Sequence, residues 1–240
     1  MSAPQDAGHP TSPPHGLAPA TVAVTAGRPE TRPGASVNEP VWLTSTYVAD
    51  GPYDYGRTGN PTWDAFETAL GALEGGRALV YSAGLAAMGA ATSLVPDGAV
   101  VVAPTSAYSG TTKQLELAQS QGRLTLRQVD VADTDAVGDA LPGADLLVVE
   151  SPTNPLLDVA DLPALVELAH AQGALVVADN TFATPVVQRP LDHGVDVVVH
   201  SVTKYLSGHS DVVLGATVTR DDAPGRDLHD RLRAHRHLTG

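Results

Sequence analysis

Seven short apolar runs alternate with helical patterns along most of this chain, and that alternation restricts the fold more than any single residue does. The runs lie at 78–81, 99–103, 124–129, 145–149, 174–178, 195–199 and 212–218. Helical periodicity fills several of the gaps, at 85–94, at 111–121 before Gly122 and at 162–172 before Gly173. Ahead of the first run, Phe66, Leu70 and Leu73 recur at helical spacing, with Thr62 as the expected cap and Gly75-Gly76 as the stop. Strand alternating with helix predicts an α/β fold, a mainly parallel sheet with helices on both faces. Open sheets of that kind bind ligands beyond the carboxyl ends of their strands, so the residues that follow each run become the candidates for function. The sequence contains no internal repeat.

From Met1 to about Pro40 the chain is rich in Pro, Ala, Thr and Gly and lacks periodicity, which predicts an irregular arm. The expected boundary falls at residue 48, with one large folded unit over 49–240. A formal net charge of -13 argues against nucleic acid or an anionic membrane as partner. Cysteine is absent, which removes disulfides and thiolate metal sites and accords with the cytoplasm. Residues 1–27 hold no Lys or Arg and no apolar core, so no secretory signal is expected, and no run is long enough to span a bilayer. A soluble cytoplasmic protein is the expectation. The stretch 227–238 has a helical pattern rich in Arg and His, but His235 and His237 stand two apart, on different faces of a helix, so no metal site is expected. Asn60-Pro61-Thr62 carries the proline that excludes it as a glycosylation sequon.

Chemistry enters at the segment Ser201-Val202-Thr203-Lys204, which follows the run at 195–199 and holds one of only two lysines in the chain. A doubly buried strand would deliver Lys204 to a pocket at the sheet edge, where partial desolvation makes the neutral amine available to attack a carbonyl. The hydroxyls of Ser201 and Thr203 could bind an anion beside it. A lysine suited to a Schiff base, with phosphate ligands next to it, points to pyridoxal 5'-phosphate as cofactor. The run at 174–178 ends in Asp179-Asn180, and that cofactor needs a carboxylate against its pyridine nitrogen to act as an electron sink. Alone, Asp179 would read as a turn cap and Lys204 as a surface residue. Complementary groups on two adjacent strand ends favour the cofactor.

Three further segments share that edge. The turn Ser82-Ala83-Gly84-Leu85 opens an alanine-rich helix and presents free N–H groups as a phosphate cradle. Tyr108 follows the next run and could stack on a flat ring. Asn154, in Ser151-Pro152-Thr153-Asn154-Pro155, could bond a phenolic oxygen. Together with Tyr55-Gly56-Arg57, Asn60-Pro61-Thr62, Gly110-Thr111 and Ser207-Gly208-His209, these segments resemble the trans-sulfuration enzymes, the pyridoxal-phosphate family of cysteine and methionine metabolism, from about Val41 onward. The resemblance implies the large domain of a type I pyridoxal-phosphate transferase fold. By it, Lys204 carries the cofactor and later moves protons. Asp179 pairs with the ring nitrogen, Asn154 with the ring oxygen, and Tyr108 stacks and assists the leaving group. The phosphate is held by the amides of Gly84 and Leu85 and the hydroxyls of Ser201 and Thr203. Residues at the positions of Tyr55 and Arg57 reach the neighbouring subunit's site, which implies a homodimer or homotetramer.

The same resemblance implies elimination or γ-replacement at a carbon–sulfur bond of an amino acid substrate, as in cystathionine γ-synthase or γ-lyase. A homocysteine or O-acylhomoserine sulfhydrylase would use the same cofactor residues. Members with methionine γ-lyase activity carry a cysteine where this chain has Gly110, which favours the synthase and cystathionine-lyase side. The family continues into a smaller C-terminal domain whose arginine grips the substrate carboxylate, and 240 residues end before it. The expectation is therefore a large domain with an incomplete site, and a chain that binds cofactor without turnover is the non-enzyme alternative.

Overall fold

The computed structural model describes residues 17–239. Its elements run α1 (Pro19–Thr25), α2 (Pro61–Glu74), β1 (Arg77–Tyr81), α3 (Gly84–Thr92), β2 (Ala99–Pro104), α4 (Ser109–Ser120), β3 (Leu124–Val129), α5 (Thr134–Ala140) and β4 (Leu146–Glu150). They continue with α6 (Leu162–Ala171), β5 (Leu175–Asp179), the single turn α7 (Thr184–Val187), a 3-10 turn (Pro190–His193), β6 (Val197–Ser201), β7 (Gly215–Thr219) and α8 (Ala223–Thr239). The strands form one sheet in the order β1-β7-β6-β5-β4-β2-β3. Strands β2 to β6 pair in parallel, while β7 runs antiparallel between β6 and β1.

Apolar residues on both sides of the strands explain why the runs read as continuous. On one face Val101, Val148, Val177 and Val199 pack under Met88 of α3, Leu115 of α4 and Leu232 of α8. On the other, Val102, Leu147, Val176 and Val198 pack under Leu70 of α2, Val137 of α5 and Leu165 of α6. The expected α/β fold with helices on both faces is what forms.

Several local expectations are corrected. Helix α2 is capped by Asn60, whose Oδ1 accepts from Trp63 N at 2.9 Å with Pro61 in the first turn. The Thr62 hydroxyl instead accepts from Trp42 N at 3.0 Å and donates to the Pro40 carbonyl at 3.2 Å. Strand β6 starts at Val197 and includes Ser201, because Ser201 still pairs with Gly215 of β7. Asp196 is drawn off by accepting from Val176 N at 2.8 Å. Strand β7 begins only at Gly215, so 212–214 lie outside it. Helix α8 begins at Ala223, earlier than expected. Helix α1 lies in the arm expected to be irregular; Val22 is buried and the helix contacts α2, a tertiary contact that periodicity over 7 residues does not show. Residues 1–16 of that arm lie outside the described residues.

Strand order reverses between β2 and β4: β3 lies on one side of β2 and β4, β5 and β6 on the other. The loops after β2 and β4 therefore part at their carboxyl ends, leaving the crevice in which open α/β sheets place ligands. Among the described residues no helix is long and apolar enough to cross a membrane.

Candidate active site

A cavity of about 240 Å³ occupies that crevice. Its lining brings together Gly84, Leu85, Tyr108, Asn154, Asp179, Ser201, Thr203 and Lys204, eight of the ten residues singled out in the sequence. Tyr55 and Arg57 do not line it. They stack on each other, with the guanidinium 5.3 Å from the ring centroid, and Arg57 donates to the His237 carbonyl.

The anion end is built at the N-terminus of α3. No side chain caps this helix, so its first N–H groups face the cavity edge without a side-chain acceptor. Gly84 is required there, since a Cβ would come 2.9 Å from Ser201 Cβ and 3.1 Å from Ser201 Oγ. The close approach sets the Ser201 hydroxyl beside the helix start. Thr203 departs from expectation. Its hydroxyl donates to the Leu214 carbonyl at 3.2 Å and accepts from Leu214 N at 2.9 Å, so its proton is already committed.

Asp179 ends β5 and is half-buried. Burial raises its pKa, against the opposing pull of hydrogen bonds from Thr181 and the charge of His200. Thr181 N donates to Asp179 Oδ1 at 3.0 Å, and Thr181 Oγ1 accepts from Ser201 N at 2.8 Å. Thr181 thus ties the ends of β5 and β6 together. Lys204 lines the cavity but is exposed, which corrects the expectation of a desolvated amine: the turn after β6 carries it to the mouth.

Tyr108 immediately precedes α4, lines the cavity wall and is 44% exposed. A Cβ on Gly110 would come 2.5 Å from Tyr108 Cε1, so glycine seats the ring where it stands. Sequence reasoning missed Glu150, the buried last residue of β4. Its two carboxylate oxygens accept from Tyr108 N at 2.8 Å and from Asn154 N at 2.6 Å, spanning the crevice. Burial pushes its pKa up to about 7; the Tyr108 and Asn154 N–H groups oppose this and the charge of Asp179, its cross-strand partner, adds to it. The only sequence signal was an acidic residue closing an apolar run. Of the two histidines weighed as metal ligands, His235 meets Ser93 Oγ at 3.0 Å and His237 meets the Thr58 carbonyl at 3.1 Å.

These residues fit pyridoxal phosphate. An uncapped helix start with a hydroxyl beside it suits a phosphate, an acidic side chain suits a protonated ring nitrogen, and a primary amine suits the aldehyde. Comparison with known proteins agrees. The chain is 46% identical over 214 residues to the cystathionine gamma-synthase of Mycobacterium tuberculosis, a match covering 85% of this chain and 55% of that protein. It is 39% identical over 210 residues to the cystathionine gamma-lyase of Dictyostelium discoideum, covering 84% and 54%. The crystal structure of cystathionine gamma synthase from Xanthomonas oryzae pv. oryzae in complex with cystathionine superposes with a TM-score of 0.86 at 40% identity, covering 92% of this chain and 58% of that one. The chain thus spans about half the length of the curated relatives it matches. The family model described as Cys/Met metabolism PLP-dependent enzyme matches residues 20–240, and the chain belongs to that family.

Proposed function

We propose that the protein containing this chain carries out elimination or γ-replacement at the carbon–sulfur bond of an amino acid, as a cystathionine γ-synthase or γ-lyase. The observation that carries this reading is the convergence of Asp179, Lys204 and the start of α3 on one cavity. When bound, pyridoxal phosphate supplies an electron sink for charge that develops on the substrate carbon. The chain's own residues do the rest. The Asp179 carboxylate would accept a hydrogen bond from the protonated ring nitrogen and so keep the proton on the ring. The Lys204 amine would hold the cofactor's aldehyde carbon and, at the cavity mouth, could carry a proton to and from the substrate carbon. The α3 N-terminus and Ser201 would hold the phosphate, Asn154 would bond the ring oxygen, and Tyr108 would stack on the ring. Gly110 stands where family members with methionine γ-lyase activity carry a cysteine, which supports the cystathionine reading.

The reading extends to organisation. Residues 49–240 act as the cofactor-binding large domain, and Tyr55 and Arg57 serve the site of a second copy in a homo-oligomer. The acidic, cysteine-free composition suits the cytoplasm.

Lys204→Ala decides the central claim. Reduction of the cofactor-loaded protein with borohydride, followed by peptide mapping, should label Lys204 in the wild type and nothing in the variant. A label on Lys113, which lies on the exposed side of α4, would sink the assignment.

A further inference from the structure

The strand ends beneath the cavity also turn residues the other way. Strands β4, β5 and β6 deliver Glu150, Asp179 and Ser201 to the cavity, and by the two-residue period of a strand their neighbours Ser151, Asn180 and His200 belong to the opposite face. All three are buried there, and Glu74, the last residue of α2, meets them with no exposure at all. Glu74 Oε1 lies 2.6 Å from His200 Nε2 and accepts from Asn180 Nδ2 at 3.0 Å. Gln188 extends the network, with Nε2 donating to Asn180 Oδ1 at 3.2 Å and to the Ser151 carbonyl at 3.3 Å.

Stability does not explain this arrangement. A buried carboxylate–imidazole pair is costly to desolvate, and apolar residues of similar volume would hold the fold as well or better. The cost is compounded because Glu74 Oε2 and His200 Nδ1 have no hydrogen-bond partner among the described residues. What the pair does hold in place is the sheet edge under the cavity. His200 follows Val199, the β6 partner of Asp179, and Asn180 is the next residue after Asp179. The charge of His200 also favours the ionised form of Asp179, against the burial that disfavours it.

We propose that Glu74 and His200 are positioning residues that fix the Asp179 carboxylate, from the far face of the sheet, for the cofactor's ring nitrogen. The proposal rests on the pyridoxal-phosphate reading of the cavity. Its test is titration of the apoprotein with pyridoxal 5'-phosphate, followed by absorbance, beside thermal unfolding of the same apoprotein. The variants are Glu74→Gln and the apolar pair Glu74→Met with His200→Phe, each made with and without Asp179→Asn. The apolar pair should unfold within a few degrees of the wild type while its Kd for the cofactor rises about tenfold. Glu74→Gln should raise Kd severalfold. In the Asp179→Asn background both effects should shrink to within about twofold, because the group through which they act has lost its charge. A folded variant with wild-type Kd, or an equal loss with and without Asp179, overturns the proposal and leaves the network merely structural. Should the apolar pair not fold, Glu74→Gln decides on the same two criteria. Failure of the wild type itself to take up the cofactor would overturn the site assignment and the proposal together.

Discussion

Glu150 shows how much of a site rests on a side chain whose job is to hold backbone. One carboxylate fixes the loop carrying Tyr108 and the loop carrying Asn154, which the strand order would otherwise leave free to part. Its pKa, raised to about 7, makes a prediction with a definite sign. A carboxyl whose pKa is higher in the folded protein than in the unfolded chain favours folding below its unfolded value, and that contribution is lost as pH rises through about 7. Glu150→Gln removes the titration. The stability of the wild type relative to the variant should therefore be greatest near pH 4.5 and fall by up to about 3 kcal/mol by pH 8. Urea unfolding of the apoproteins at several pH values measures it, and a flat difference would refute the buried titration. The places of Lys204 and Asp179 on the cavity wall were legible because both follow apolar runs that end at the carboxyl edge of the sheet. Glu150 and Thr181 were not, since nothing in their identity says which N–H they will meet. The bond between the Thr203 hydroxyl and the Leu214 carbonyl was hidden for the same reason.

Elements were legible where apolar residues are buried on both faces and blurred where hydrogen bonding sets the end. The runs located all seven strands, yet β2, β4 and β5 each continue one residue beyond the expected run and β6 two, because pairing with the neighbouring strand goes on. The same limit moved the cap of α2 from Thr62 to Asn60. That side chain has two duties, since its Oδ1 accepts from Trp63 N and its Nδ2 donates to the Gly56 carbonyl at 3.1 Å. Asn60→Ala should therefore destabilise the protein by about 1–2 kcal/mol, the usual cost of a lost cap. It should also loosen the Tyr55–Arg57 loop, seen as faster cleavage there in limited proteolysis. A stability loss without added cleavage would confine Asn60 to its capping role. Helix α5, with 7 residues, was missed because two turns are too few to establish a period.

For the whole molecule, the parallel sheet and its crevice followed from alternation alone, whereas the antiparallel insertion of β7 did not, because strand direction leaves no mark on a buried apolar run. Near the Tyr55 loop, Val41, Leu43 and Val48 are 72%, 95% and 91% exposed, more apolar surface than an isolated chain of this acidity needs. If these side chains pack on a second copy, Leu43→Ser with Val48→Ser should shift the oligomer toward smaller species in sedimentation while leaving circular dichroism unchanged. An unchanged distribution would place the contact elsewhere. The position of β7 also fixes an order of events. Among the described residues strand β1 pairs in the sheet only with β7, through Arg77↔Thr219 to Tyr81↔Gly215, so its ladder there forms only once the chain has been made past Thr219. The start of α3 that follows β1 is set against Ser201 by the same closure. This end of the cavity thus waits on contacts of long sequence separation, which are slow to form.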